Sequence, residues 1–282
     1  MTRHVGQVRG TEIQALRALS ETEYAQYCVA REQLQRVSQG QSTFVIVDLN
    51  YVELKSFIEA VEEEYEKNQT ASWDILQGVS AQLNRLMLNF LTTFRVYFDH
   101  TETRFKREYG DSEIAAFKTA TASEYDSLFA YRFLYKLRNY SQHCGMPIGQ
   151  FSFSSTTADD GHHLHRAQFF FLRKQLLDEF AEWGEPVTSD LQRMPEQFEV
   201  VGLVDQVREA LGRINAVVAR VDAQRALPAK KIVEGLFEGR VYEPGICVID
   251  STNLSPMGGP LRFDWPPISA LRFLDENFAA QP

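Results

Sequence analysis

The sequence predicts an α-rich protein with a minor β component: a central helical bundle, a β-hairpin or small sheet, and flanking helices. Three observations carry this. Apolar residues recur at helical spacing through two long stretches, residues 73–109 and 123–144. Strict alternation is confined to short runs such as Gln150 to Ser155 (QFSFSS). With 44% hydrophobic residues, a chain of 282 has ample material for a core, in one large domain or two small ones.

Taken in order, residues 11–39 read as a helix with Ile13, Leu16, Leu19, Tyr24, Tyr27 and Leu34 on its apolar face and Gly40 as its stop. The β-branched run at 43–49 (TFVIVDL) reads as a strand. Asn50 then caps a helix to residue 68, whose acidic run from Glu62 to Glu66 is a solvated face. The longest helix is expected over 73–109, where Leu76, Leu83, Leu86, Phe90, Phe94 and Tyr97 keep a near-heptad seam. Such a helix needs a long partner, and 123–144 is the natural one. Gly110 breaks the chain between them, and a short helix falls near 113–119. His100 and Arg104, one turn apart, read as surface.

Beyond Pro147, strands at 150–155 and 163–171 make a hairpin around the turn at 157–161. Asp159, Asp160, His162, His163 and His165 gather metal-ligating chemistry there. A hairpin tip with no cysteine and no fixed scaffold favours a solvated turn. A short helix at 172–183 ends at Gly184 and Pro186. Residues 187–226 are mostly helical, with the stripe Val204, Val207, Leu211, Ile214, Val218 and Val221. Pro228 opens a further short helix to Gly239, 242–250 holds a strand, 255–260 is loop, and 268–278 is a terminal helix or an exposed tail. Three consecutive segments follow: 1–69, the helical core at 70–149, and a hairpin with packing helices at 150–282.

Composition excludes several classes. A net charge of -9 and a pI near 5.3 argue against a broad nucleic-acid-coating surface, though a cleft with a few local cations remains compatible. Cys28, Cys144 and Cys247 share no ligand spacing and suggest a reducing compartment. With no apolar leader region and no run approaching a membrane span, a cytoplasmic location and no membrane partner are expected. Walker A, Rossmann, His-Glu-x-x-His and Gly-x-Ser-x-Gly patterns are missing, and no cofactor or metal is expected. Met257-Gly258-Gly259 lacks the Lys-Ser/Thr of a phosphate loop.

The chemistry concentrates in residues 123–149. Ser123 with Asp126 resembles a capping box. Phe129, Phe133, Leu137, Tyr140 and Cys144 form an apolar stripe, widened by Tyr131, Leu134 and Tyr135. Arg132, Lys136, Asn139 and His143 line the opposite face, and Gly145 and Pro147 end the helix. Arg138 and His143 stand five apart, about 140° around an ideal helix, so both reach one atom only through a frayed last turn or a second copy of the chain. Arginine offers a charged fork for phosphate oxygens, and histidine suits proton transfer near neutrality.

Arg138-Asn139, four intervening residues from Arg to His, and His143 late in an aromatic-rich helix resemble the motif of the HEPN superfamily, over roughly residues 72–149. The resemblance implies a HEPN-like helical bundle and a metal-independent endoribonuclease. It implies a homodimer with facing Arg–His motifs, and a role as a toxin or phage-defence effector with a neutralising or triggering partner. Arg138 would then bind phosphate, His143 would act as general acid and base, and Asn139 would assist, with Arg132 and Lys136 binding substrate. Some toxin members carry a Tyr two residues after the His; Gly145 stands there, so control by modifying that Tyr is not expected. The alternative is a non-enzymatic helical scaffold or interaction protein in which Arg138 and His143 bond carbonyls at a helix terminus.

Overall fold

A computed structural model describes residues 3–68, 73–157, 163–252 and 260–278. The elements run β1 (Arg3–Arg9), β2 (Glu12–Leu19), α1 (Glu21–Asn68), α2 (Trp73–Glu108), α3 (Asp111–Ser127), α4 (Phe129–His143), β3 (Gln150–Thr157) and β4 (His163–Leu172). They continue with α5 (Arg173–Glu179), α6 (Glu185–Arg193), β5 (Gln197–Glu199), α7 (Val201–Leu236), β6 (Ile246–Asp250), β7 (Arg262–Asp264) and α8 (Ile268–Phe278). Helices dominate and the strands form two small antiparallel sheets, which is the α-rich class with minor β that the sequence predicts. Two compact units result: Met1–Ser42 with Val218–Pro282, and Thr43–Val217. The division differs from three consecutive segments, because the two ends of the chain share a unit and both boundaries fall inside helices, α1 and α7.

In the first unit the sheet order is β2-β1-β6-β7. Here residues 11–19, expected as helix, are strand. Their apolar spacing fits a helix, but hairpin pairing with β1, from Arg9↔Glu12 to Arg3↔Leu19, decides the outcome. The helix begins one residue later in a true capping box. The Glu23 amide donates to Ser20 Oγ at 3.2 Å and the Ser20 amide donates to Glu23 Oε2 at 2.8 Å. The Ser20 amide first, then Arg17 and the Ser20 hydroxyl, pull the Glu23 carboxyl down to about 2. Tyr27, Leu34 and Val37 of α1, Ala226 and Val233 of α7, and Leu271 of α8 bury against Val5 and Val248 of the sheet. Pro228 does not start a helix but lies inside α7. The strand at 246–250 joins β1 and β7, not the hairpin. Gly245 sits at φ 78, where a Cβ would come 2.0 Å from the Val8 carbonyl oxygen, so that turn requires glycine.

In the second unit the run 43–49 is helical, in the middle of the 48-residue α1. Gly40 does not stop the helix, and α1, not α2, is the longest. β-Branched residues cost only a few tenths of a kcal/mol each in a helix. Burial at helical spacing outweighs that: Val47, Leu54 and Ile58 are buried, and Phe44 packs on Tyr97 with ring centroids 5.5 Å apart. On the outer side Val45, Leu49 and Val52 stay exposed, Leu49 at 62%. Two ion-pair sets fix α1 to α7, Asp48 with Arg208 at 2.6 Å and Lys55 with Asp205 at 3.0 Å. The α2 seam is buried as expected through Leu83, Leu86, Phe90, Phe94, Tyr97 and Phe105. Arg104, read as surface, is buried and lies over the rings of Phe105 and Tyr109. The hairpin β3–β4 forms in the register Phe151↔Phe169, and β5 extends it to the order β3-β4-β5. Phe133 of α4 stacks on Trp183 at 5.7 Å and meets Phe171 edge-on at 5.1 Å, which seats α4 against this sheet.

Candidate functional site

The helix carrying the motif is shorter than expected. Ser123 lies inside α3, not at an N-cap, and the short helix expected near 113–119 extends to Ser127. Leu128 breaks the run with extended backbone (φ -122, ψ 112), and α4 starts at Phe129. The break leaves carbonyls of α3 without helical partners, and Arg132 supplies them: its Nη1 donates to the carbonyls of Tyr125 at 3.1 Å and Asp126 at 3.3 Å. Its Nε donates to Asp190 Oδ2 at 2.5 Å. Burial works to raise the Asp190 carboxyl, but the guanidinium bonds from Arg132 and Arg193 outweigh it and hold the group below its usual value. Arg132, a candidate for substrate binding, is thus engaged in joining α3, α4 and α6.

At the other end α4 stays helical through His143, so the last turn does not fray. Cys144 caps it at φ -120, ψ -55 and is exposed, off the apolar stripe where the spacing had placed it. The chain beyond is pinned. Asn84, buried on α2, accepts from the Ile148 amide at 3.0 Å and donates to the Ile148 carbonyl at 3.4 Å. Tyr140 is buried on the inner face, donating to Glu179 and accepting from Gln175 at 3.2 Å. Burial first, then the bond to Glu179, pushes its pKa up. Gly145 lies against this pair, with a Cβ there 3.1 Å from the Tyr140 hydroxyl.

This frame presents the motif as follows. Arg138 is half-buried, and its Nε is shut off from solvent with no hydrogen-bond partner. His143 is exposed and Asn139 half-buried. Among the described residues no side-chain hydrogen bond or ion pair engages Arg138, Asn139, His143 or Lys136, so neither Arg138 nor His143 bonds a helix-end carbonyl. Asn139 and His143 share a face, one turn apart, and Lys136 lies on the same line. Arg138 stands about 140° around the helix from His143. One chain therefore does not bring Arg138 and His143 to a common atom.

Two cavities flank the start of α4. The smaller, about 360 Å³, lies around Arg132, Asp190 and Arg193. The larger, about 510 Å³, is walled by aromatic residues of α2, α3 and α4, with Lys136 at its edge. Sequence reading placed Tyr131 and Tyr135 in the core and did not find this space. Its signal is the pair of tyrosines one turn apart opposite Phe98, which no spacing rule separates from ordinary packing. Among the described residues no group of three or more His, Cys, Asp or Glu could hold a metal ion, and no helix is long and apolar enough to cross a membrane. The Asp159, Asp160 and His162 cluster, with the side chains of His163 and His165, lies outside the described residues. Compared with known proteins, the chain matches no family model, no curated protein and no solved structure.

Proposed function

We propose that this chain is a HEPN-like, metal-independent endoribonuclease that works in the cytoplasm as a homodimer. The observation that supports the reading is a pair of groups at the end of α4 that are uncommitted among the described residues: Arg138 with an unpaired buried Nε, and an exposed His143 with no partner. A guanidinium NH that ends without an acceptor is costly unless a ligand supplies one, and phosphate oxygens fit its fork. His143 takes the proton of a ribose 2′-hydroxyl. The 2′-oxygen bonds to phosphorus as the bond to the 5′-oxygen breaks, and a histidine returns a proton to that leaving oxygen. The products are a 2′,3′-cyclic phosphate and a 5′-hydroxyl end. Asn139, on the face of His143, orients the imidazole. Since the two motif side chains diverge on one helix, a second copy supplies the complementary pair across the cleft. A neutralising or triggering protein fits a toxin or phage-defence role.

The competing reading is a scaffold in which Arg138 and His143 form a structural helix terminus; the absence of carbonyl partners for them among the described residues supports the nuclease reading over it. The test is cleavage of a mixed RNA pool by purified protein in EDTA. His143→Ala and Arg138→Ala should each lose about 10²–10⁴-fold in rate while keeping the wild-type melting temperature and dimer mass. A monomer that cleaves nothing, with both variants unfolding well below wild type, would leave the scaffold reading standing.

A further inference from the structure

The larger cavity of the second unit, about 510 Å³, falls within the roughly 300–1,000 Å³ of small-molecule sites. Its floor is aromatic, built by Phe98, Phe117, Tyr131 and Tyr135. Tyr131 is 2% exposed, yet its hydroxyl has no hydrogen-bond partner among the described residues. Burial pushes its pKa up, so the group stays protonated and available to donate. The hydroxyl is not among the buried atoms shut off from solvent, so it opens onto the cavity and is free to donate to a ligand there.

The charges at the rim narrow the ligand. Arg95 pairs with Asp99 at 3.0 Å and lies 4.9 Å over the Tyr135 ring. Glu102 holds Lys106 at 2.7 Å and Lys118 at 3.7 Å. Among the described residues Lys136, half-buried, is the lining cation without a partner, and Asp126 is the lining acid without one. Asp126 lies in the last turn of α3 and Lys136 stands on α4, so an anion settles on the Lys136 side. Aromatic walls whose rings meet at angles up to 85°, a tyrosine hydroxyl and one open ammonium suit a heteroaromatic ring that carries a phosphate.

We propose that this cavity binds a nucleotide, its base against the aromatic floor and accepting from the Tyr131 hydroxyl, its phosphate on Lys136. Lys136 continues along one helix line through Asn139 to His143, about 10 Å away, so a base held here belongs to a nucleotide close to the one being cut. As an RNA subsite the cavity rests on the nuclease reading; as a site for a free nucleotide it does not.

Calorimetric titration of the full chain separates these. The probes are an uncleavable 2′-O-methyl hexanucleotide, 5′-AMP and 5′-CMP. Wild type should bind at least one of these probes. Tyr131→Phe, which removes one oxygen, and Lys136→Ala should each weaken binding about fivefold. Ala122→Trp, at an exposed α3 position on the rim that tolerates a large side chain, should weaken it about tenfold or more by filling the space. Tighter binding of the hexanucleotide assigns the site to RNA, and equal or tighter binding of a mononucleotide assigns it to a free nucleotide. If wild type binds but cuts no RNA, the nuclease reading fails and the nucleotide site stands. No binding of any probe, or binding indifferent to the Tyr131, Lys136 and Ala122 changes, overturns the proposal.

Discussion

Arg132 and Arg138 show how differently two arginines of one helix can be engaged. Arg132 is committed: two carbonyls of α3 take its Nη1 and the Asp190 carboxylate takes its Nε. Arg138 keeps a buried Nε without an acceptor. Asp190→Ala should destabilise the protein by about 3 kcal/mol, because it strands the largely buried Arg132 charge; chemical denaturation at neutral pH measures it. The pH dependence has a definite sign. The Asp190 carboxyl is lowered in the folded state, so its contribution is complete above its ordinary value of 3.8 and is lost as pH falls through the lower folded-state value. Between pH 5 and pH 2, wild type should therefore lose more stability than Asp190→Asn, and equal losses would refute the assignment. Sequence spacing put Arg132, Lys136, Asn139 and His143 on one face, which the helix preserves. It could not tell which cation was already spoken for, since Asp190 is 58 residues away in the chain.

At the scale of elements, the Ser20–Glu23 box fixes where strand gives way to helix. Ser20→Ala should cost about 1 kcal/mol and shift the thermal transition of the first unit, where a change on an exposed mid-helix position such as Glu32→Gln should not. The same junction marks what was legible in the chain. A long amphipathic stretch read correctly at α2, because one buried stripe per helix leaves a period that survives any tertiary arrangement. Misreadings came where two periods overlap. Ile13, Leu16 and Leu19 suit a helix, yet β1 claims them through backbone bonds that no side-chain spacing records. Residues 43–49 look like a strand locally, yet Phe44, Val47, Tyr51, Leu54 and Ile58 continue a helical stripe visible only over fifteen residues. The Leu128 break was hidden because helix propensity runs through it on both sides, and Arg132 makes it tolerable from within the next helix. The candidate motif was legible as a pattern. The pinning of its trailing loop by Asn84 was not, for a lone buried asparagine in an apolar seam carries no spacing signal.

For the whole molecule, charge sets a test of the proposed ribonuclease reading. On that reading a chain of net charge -9 holds RNA through few contacts, chiefly Lys136 and Arg138. Releasing counterions from about two phosphates gives a log–log salt slope near -1.5 for single strands, far shallower than for a coating protein. Binding of the uncleavable oligonucleotide across a salt series checks this, and a slope several times steeper would show an extended basic track instead. The outer face of α1 sets another property of the entire chain. Val45, Leu49 and Val52 already meet water in the native helix, and their neighbourhood, TFVIV, is a sequence that prefers extended cross-strand stacking once released. Heating that opens α1 converts a tolerated surface stripe into a self-templating edge, so inactivation becomes a matter of time above the transition rather than of equilibrium. Turbidity should rise with the melt, and Val45→Lys should restore recovery on cooling while leaving the buried side of the helix unchanged.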